Sequence, residues 1–85
     1  MGKKEVKSKL IKIISNEAGI PTEFDCDVNL MQLGIQSINL MKIQVEIIKE
    51  FAVKLKFREF IQHNSVNKLT ECLVKKLGIE DEKDE

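Results

Sequence analysis

One serine stands where a hydroxyl group is well placed to carry another chemical group. Ser37 follows Gly34 by three residues and opens a strongly apolar stretch that runs to about Phe51. The first turn of a helix has free backbone N–H groups and a partial positive charge, and both suit an attached phosphate. A serine at a helix start is also a common N-cap, which needs no further function. From the residues alone, both interpretations of Ser37 stay open.

The stretch from Gly34 to Ser37 partly resembles a nucleophile elbow, in which a sharp turn exposes a catalytic serine. That motif needs a strand before the serine and a glycine two residues after it, where this chain has Asn39. The only histidine is His63, and the chain is far too short for a hydrolase sheet. We therefore do not expect a hydrolase. Our expectation for the chain as a whole is that it is not an enzyme.

The polar stretch Asp25–Asn29 begins like a calcium-binding loop. Its sixth position is Leu30 where the loop needs glycine, and its twelfth is Gln36 where it needs a bidentate glutamate. We therefore expect these polar side chains to form turns and caps, and we expect no metal site.

The composition fits one small domain. The chain has 85 residues, 42% of them hydrophobic, with a formal net charge of zero. This balance does not favour nucleic acid or anionic lipid, and no apolar run approaches the roughly 18 residues of a membrane span. The N-terminus lacks the apolar stretch of a signal peptide. We expect a cytoplasmic monomer in which Cys26 and Cys72 are reduced.

The spacing of apolar residues predicts the elements that position this serine. A first amphipathic helix should end near Ala18, because Gly19 suits the left-handed position after a helix. The stretch 20–36 has no sustained period and is predicted to be a long loop held to the core by its apolar side chains. Ser65 is a predicted N-cap, and Gly78 a predicted helix end. The expected fold is all-α, a small four-helix bundle with three main helices and one short helix. The later helices are predicted over 37–51, 57–62 and 66–77.

The predicted helix 37–51 has two apolar stripes. One stripe comprises Leu40, Ile43, Ile47 and Phe51, and the other comprises Ile38, Met41, Val45 and Ile48. At about 100° of rotation per residue, the polar side chains occupy only a narrow arc between them. A helix in a small bundle needs one stripe for the core. The second stripe is therefore either more core or a docking face for a partner.

The sequence Leu33-Gly34-Ile35-Gln36-Ser37-Ile38 resembles the phosphopantetheine attachment site of acyl and peptidyl carrier proteins. The family pattern is Leu-Gly, two residues, the modified serine, and then Leu or Ile. The resemblance covers nearly the whole chain: Phe60–Leu69 is similar to the Phe-x-x-x-Pro-Thr-Ile-x-x-Leu segment common in peptidyl carriers, with Asn64 at the proline position. It implies that a phosphopantetheinyl transferase moves phosphopantetheine from coenzyme A onto Ser37. The arm would then hold acyl or aminoacyl groups as thioesters.

The resemblance also assigns the two sides of the helix 37–51. By their positions after the serine, Ile38, Met41 and Val45 correspond to the partner-facing side of the family, and Ile48 continues that side here. Gln36, directly before the serine, belongs to the same predicted surface. The expected partners are the transferase, adenylating or acyl-loading enzymes and downstream synthase enzymes.

Several positions depart from the fatty-acid carriers. Gln36 replaces their usual aspartate, and Asn39, Lys42 and Lys49 stand where acidic residues are expected. Because charge complementarity governs partner choice, we expect a carrier closer to the peptidyl or aryl type, in a nonribosomal-peptide-like or specialised thiotemplate pathway. The alternatives are an acyl carrier of fatty-acid or polyketide synthesis and an unmodified helical interaction adaptor.

The sequence also predicts how the chain divides. We expect the carrier domain to cover 1–79. The acidic segment 80–85 is expected to be a disordered, solvated tail.

Overall fold

The computed structural model describes residues 1–79. Within this range the chain forms four α-helices and no β-strand: α1 (Lys3–Ala18), α2 (Ser37–Phe51), α3 (Phe57–Gln62) and α4 (Val66–Leu77). The predicted all-α fold with three main helices and one short helix is confirmed. None of these helices combines the length and the apolar character that crossing a bilayer requires. The predicted acidic tail, 80–85, lies outside the described residues, and its disorder stays a prediction.

The core lies where α1 packs against both α2 and α4. Each of these helices contributes one apolar stripe, and burying one such side chain stabilises the fold by about 1.5–3 kcal/mol. Phe60 of the short helix α3 is also fully buried, which anchors α3 to the bundle. The stripes are formed by Val6, Leu10 and Ile14 of α1, by Leu40, Ile43, Ile47 and Phe51 of α2, and by Val66, Leu69 and Leu73 of α4.

The helix ends lie where the sequence predicts them. Gly19 follows α1 and Gly78 follows α4, both in the left-handed conformation. Ser65 is the N-cap of α4, and its hydroxyl oxygen accepts a hydrogen bond from the backbone N–H of Lys68 at 3.2 Å. These local signals fix the lengths of α1 and α4 without reference to the rest of the fold.

The loop 20–36 contains a 3-10 turn, Leu30–Leu33, that periodicity did not predict. Asn29 caps this turn, because its side-chain oxygen accepts from the N–H of Met31 at 2.8 Å. The side chain of Gln32 in turn accepts from the N–H of Asn29 at 3.2 Å. Such a reciprocal capping box closes a short turn through local hydrogen bonds, so the turn leaves no apolar period in the sequence.

The same loop is fastened to the start of α4. The N–H of Leu30 donates to the carbonyl of Asn64 at 2.8 Å, and the N–H of Asn67 donates to the carbonyl of Cys26 at 3.0 Å. Leu30 and Ile35 are buried in the core. The loop therefore delivers the chain to the start of α2 in a fixed position.

The polar stretch Asp25–Asn29 has the predicted role in turns and caps. The Asp25 carboxylate accepts from the backbone N–H of Asp27 at 2.9 Å, and the Asp27 carboxylate accepts from the side-chain amide of Asn67. These hydrogen bonds hold the loop in shape and account for the acidic residues that resemble a calcium loop.

Candidate functional site

The start of α2 is set by a tight turn at Gly34. Its backbone has φ 83° and ψ 14°, a left-handed conformation that glycine adopts without steric cost. The N–H of Gly34 donates to the carbonyl of Met31 at 3.1 Å, and the next residue, Ile35, is buried. The chain thus leaves the core abruptly, and the helix begins one residue beyond Gln36.

Ser37 is the first residue of α2 and is exposed to solvent. The N-cap is Gln36, not Ser37, so the N-cap interpretation of the serine is wrong. Its hydroxyl makes no hydrogen bond within residues 1–79. The oxygen is therefore accessible from outside and is not held by a structural contact.

The backbone around Ser37 fits a phosphate group. The N–H groups of Asn39 and Leu40 both donate to the carbonyl of Gln36 at 3.0 Å, whereas those of Ser37 and Ile38 find no acceptor in the described part of the chain. The first turn of α2 contains no acidic residue. Two unpaired N–H groups at the positive end of a 15-residue helix would stabilise a phosphodiester attached there.

A side-chain hydrogen bond fixes this helix end to α1. The Asn39 side-chain amide donates to the backbone carbonyl of Glu17 at 2.9 Å. The bond satisfies one of the carbonyls that a helix leaves unpaired at its C-terminal end. The first turn of α2 and the last turn of α1 are thereby held side by side.

The predicted partner face is exposed over three of its four helical positions. Ile38, Met41 and Val45 are 60%, 55% and 46% exposed. Ile48 differs, because it is half-buried and packs against the core. Gln36, one residue before α2, is also exposed.

The exposed residues line a groove of about 470 Å³ together with charged side chains of both helices, Glu17, Lys42 and Glu46. Sequence reasoning did not include Glu17, which lies 20 positions before Ser37. Only the packing of α1 against α2 brings it there. Met31, on the 3-10 turn before Ser37, is exposed and apolar, and it is another residue that sequence reasoning did not assign to a site.

The reactive side chains of the chain do not assemble around Ser37. His63 Nδ1 lies 3.0 Å from the carbonyl oxygen of Glu59, where α3 ends. Cys72 is buried, and this burial, with a smaller contribution from the nearby Glu59 carboxylate, raises the pKa of its thiol. Within residues 1–79, no base therefore contacts the serine hydroxyl, and the thiol of Cys72 is not an activated nucleophile.

Comparison with known proteins gives relatives that are much longer than this chain. It is 30% identical over 81 residues to the citrinin polyketide synthase of Monascus ruber, a region that covers 94% of this chain and 3% of that protein. It is 29% identical over 79 residues to clavatol synthase claF of Penicillium crustosum, a region that covers 92% of this chain and 3% of that protein. The non-reducing polyketide synthase pkdA of Emericella nidulans is 27% identical over 70 residues, 81% of this chain and 3% of that protein. No solved structure matches significantly.

The chain thus spans about 3% of the length of the curated relatives that it matches. The family model described as "Phosphopantetheine attachment site" matches residues 8–83, which is most of the sequence. The chain therefore belongs to the phosphopantetheine-attachment family, whose members carry phosphopantetheine as a covalently attached prosthetic group.

Proposed function

We propose that this chain is an acyl carrier and that its Ser37 hydroxyl is the attachment point of phosphopantetheine. The observation that carries this proposal is the exposed, unpaired hydroxyl at the first residue of α2, inside the region that the family model matches. When bound, the arm supplies a thiol that holds an acyl group as a thioester.

The residues of the chain position the attachment point and do not perform the chemistry of the cargo. The unpaired N–H groups of Ser37 and Ile38 stabilise the phosphate, and the Asn39 bond to Glu17 holds the helix end in place. No general base contacts the hydroxyl within residues 1–79. We therefore assign the activation of Ser37 to a phosphopantetheinyl transferase.

We infer a polyketide-type pathway for the cargo. The relatives from Monascus ruber and Emericella nidulans are polyketide synthases, and they favour the polyketide alternative over the nonribosomal-peptide interpretation. The departures at Gln36, Lys42 and Lys49 still separate this chain from the acidic fatty-acid carriers. A peptidyl-type carrier is the second candidate, supported by the similarity of Phe60–Leu69 to peptidyl carriers.

We assign partner docking to the exposed side of α2, formed by Gln36, Ile38, Met41 and Val45. An exposed apolar patch beside the attachment point is removed from water when an enzyme covers it, and this favours docking there. Ile48, which we predicted as part of this side, is half-buried, so we expect it to pack between the exposed patch and the core. The partners are the transferase, acyl-loading enzymes and synthase enzymes that act on the cargo.

Loading with the prosthetic group tests the attachment site. The chain is incubated with coenzyme A and a phosphopantetheinyl transferase of broad specificity, and intact mass is measured. We expect a gain equal to one phosphopantetheine, which Ser37→Ala abolishes. Ser8→Ala, at an exposed serine on α1, is the matched control and should load fully. No gain with several transferases, or a gain that survives Ser37→Ala, would contradict the proposal and favour the unmodified adaptor.

Cargo transfer tests the pathway. The loaded protein is offered a malonyl group with a polyketide-type acyltransferase and, separately, an amino acid with an adenylating enzyme of a peptide pathway. The polyketide assignment predicts that intact mass increases only with the malonyl group. Acylation by the adenylating enzyme alone would favour the peptidyl-type carrier.

A further inference from the structure

The charges of the described residues are not balanced. The whole sequence has a formal net charge of zero, but residues 1–79 contain thirteen lysines and arginines against nine acidic residues, and 80–85 hold the remaining lysine and five acidic residues. Much of this excess lies where the start of α1 meets the outer side of α4. We define the basic face as the five lysines found there: Lys3, Lys7, Lys68, Lys75 and Lys76.

The basic face is one continuous surface. Two grooves of about 350 and 370 Å³ lie along it, and both are lined by Lys68 and Glu71. The first groove extends towards the end of α4 at Lys75 and the second towards α1 at Lys7. Lys68 therefore lies at the junction, with lysines on either side.

The two carboxylates beside the basic face already form ion pairs with lysines of that face. Glu71 forms an ion pair with Lys3, and Glu59 forms one with Lys76 at 3.0 Å. The hydrogen bond from Lys76 holds the pKa of Glu59 below its usual range. Lys7, Lys68 and Lys75 form no ion pair within the described residues, so their charge is available to an outside partner.

The spacing of these lysines suits a polypeptide with its own regular charges. Lys68 and Lys75 are seven residues apart on α4, which places them on one side of the helix about 10 Å apart. Both side chains are exposed. Acidic side chains two turns apart on a facing helix have the same separation and can pair with both lysines.

The basic face includes the start of α1, whereas the attachment serine lies beside the other end of that helix. Ser37 is beside the end of α1, because Asn39 is bonded to Glu17, whereas Lys3 and Lys7 lie at its start. The rise of α1 to Glu17 is about 21 Å from Lys3 and about 15 Å from Lys7. A partner on the basic face therefore leaves Ser37 and the exposed side of α2 uncovered.

We propose that the basic face docks an acidic segment of a partner protein, as a contact separate from the one on α2. This inference rests on the proposed carrier function, which requires Ser37 to stay accessible while the chain is held near its enzymes. The residues that line the two grooves include no Phe and no exposed apolar side chain, and their one aromatic ring is that of the half-buried His63. The face therefore lacks the row of exposed rings on which successive bases stack and the apolar groups that enter lipid. Charge complementarity with an acidic polypeptide is the interaction that it offers.

A labelled acidic peptide tests the basic face. The probe is a fluorescein-labelled peptide that repeats Glu-Ala-Ala-Glu-Ala-Ala-Ala, which places Glu side chains two turns apart, with a control of equal length in which Gln replaces Glu, and fluorescence anisotropy is measured at low salt. We expect the doubly substituted chain Lys68→Glu/Lys75→Glu to bind the acidic peptide about tenfold more weakly, because two favourable charge contacts become repulsive. Binding should also weaken with added salt.

The matched control has the same change of charge elsewhere. Lys12 and Lys54 are exposed and lie outside both the basic face and the groove on α2. Lys12→Glu/Lys54→Glu should stay within about twofold of the unchanged chain. Equal losses in the two variants, or no loss in either, would overturn the proposal. Circular dichroism confirms that each variant is folded.

Other occupants are tested in the same format. Duplex DNA or vesicles of anionic lipid that bind more tightly than the acidic peptide at equal salt would overturn the choice of a protein partner. Residues 80–85 contain five acidic side chains. A variant of residues 1–85 with these five changed to Gln or Asn should bind the peptide within about twofold of the unchanged chain. A tenfold gain would identify 80–85 as the occupant and overturn the partner assignment.

The outcome is separable from that of the carrier proposal. Both lysine variants should still gain one phosphopantetheine at Ser37, because the transferase reaction takes place at the far end of α1. Normal loading with unchanged peptide binding would overturn only the basic-face proposal. Loss of loading in the unchanged chain would contradict the carrier function. The peptide measurement would still decide whether the basic face binds an acidic segment.

Discussion

The two sides of α2 carry the same kinds of apolar side chain in different surroundings. Leu40, Ile43, Ile47 and Phe51 are at most 4% exposed, whereas Ile38, Met41 and Val45 are 46–60% exposed. The inner side faces α1 and the core, and the outer side forms a groove next to Ser37. Residue type alone therefore does not say which apolar side chain stabilises the fold and which is available to a partner.

The comparison indicates two different uses of apolar surface on one helix. The inner side chains gain their burial energy when the chain folds, at about 25 cal/mol per Å² removed from water. The outer side chains gain it only when another molecule covers them. Their position beside the exposed Ser37 supports the proposed docking role.

Truncating one isoleucine on each side of α2 should give the largest difference in the free energy of unfolding. Ile47→Ala removes a fully buried side chain and should lower the free energy of unfolding by about 2–5 kcal/mol. Ile38→Ala, at a 60% exposed position, should change it by less than about 0.5 kcal/mol. Urea titration followed by circular dichroism measures both values. Similar losses for the two variants would show that the outer side also stabilises the fold.

A charge on the outer side should affect docking without affecting stability. Met41→Glu introduces a carboxylate into the exposed patch and should lower kcat/KM for loading by the transferase about tenfold, as expected for a central contact residue. The free energy of unfolding should change by less than about 0.5 kcal/mol. Lys54→Glu is an exposed control outside the patch and should leave loading unchanged. An unaffected Met41→Glu rate would remove the outer side from the docking surface.

Two serines at helix starts should give a smaller difference in the free energy of unfolding. Ser65→Ala removes the capping bond to Lys68 and should cost about 1 kcal/mol of unfolding free energy. Ser37→Ala removes a hydroxyl that caps nothing and should cost less than about 0.5 kcal/mol. Thermal unfolding of both variants measures the difference. A loss of 1 kcal/mol or more for Ser37→Ala would indicate a structural role for that hydroxyl.

Local chemistry made much of the fold predictable. The helical period located all four helices, Ser65 and Gly78 located the ends of α4, and Gly19 located the end of α1. The 3-10 turn was missed because hydrogen bonds of Asn29 and Gln32 shape it, not an apolar period. Ala52, which ends α2 in a left-handed conformation with φ 53°, gave no signal because this position usually belongs to glycine.

The candidate site was predictable only in part. The motif around Gly34 and Ser37 indicated the candidate attachment residue, but the sequence did not show that Gln36 takes the N-cap position. It also could not show that Ile48 turns inward against the core while Val45 stays exposed. The burial of Ile48 and the exposure of Val45 depend on how α2 is rotated against its neighbours, which no local pattern encodes.

The sequence by itself determined where each helix lies and that a serine opens α2, because caps, glycines and apolar spacing act over a few residues. Only the tertiary structure decided which apolar stripe of α2 is buried, that Asn39 bonds to Glu17, and that lysines of α1 and α4 form one basic face. These features join residues that are distant in the chain, so they exist only once the packing of α1 against α2 and α4 is fixed.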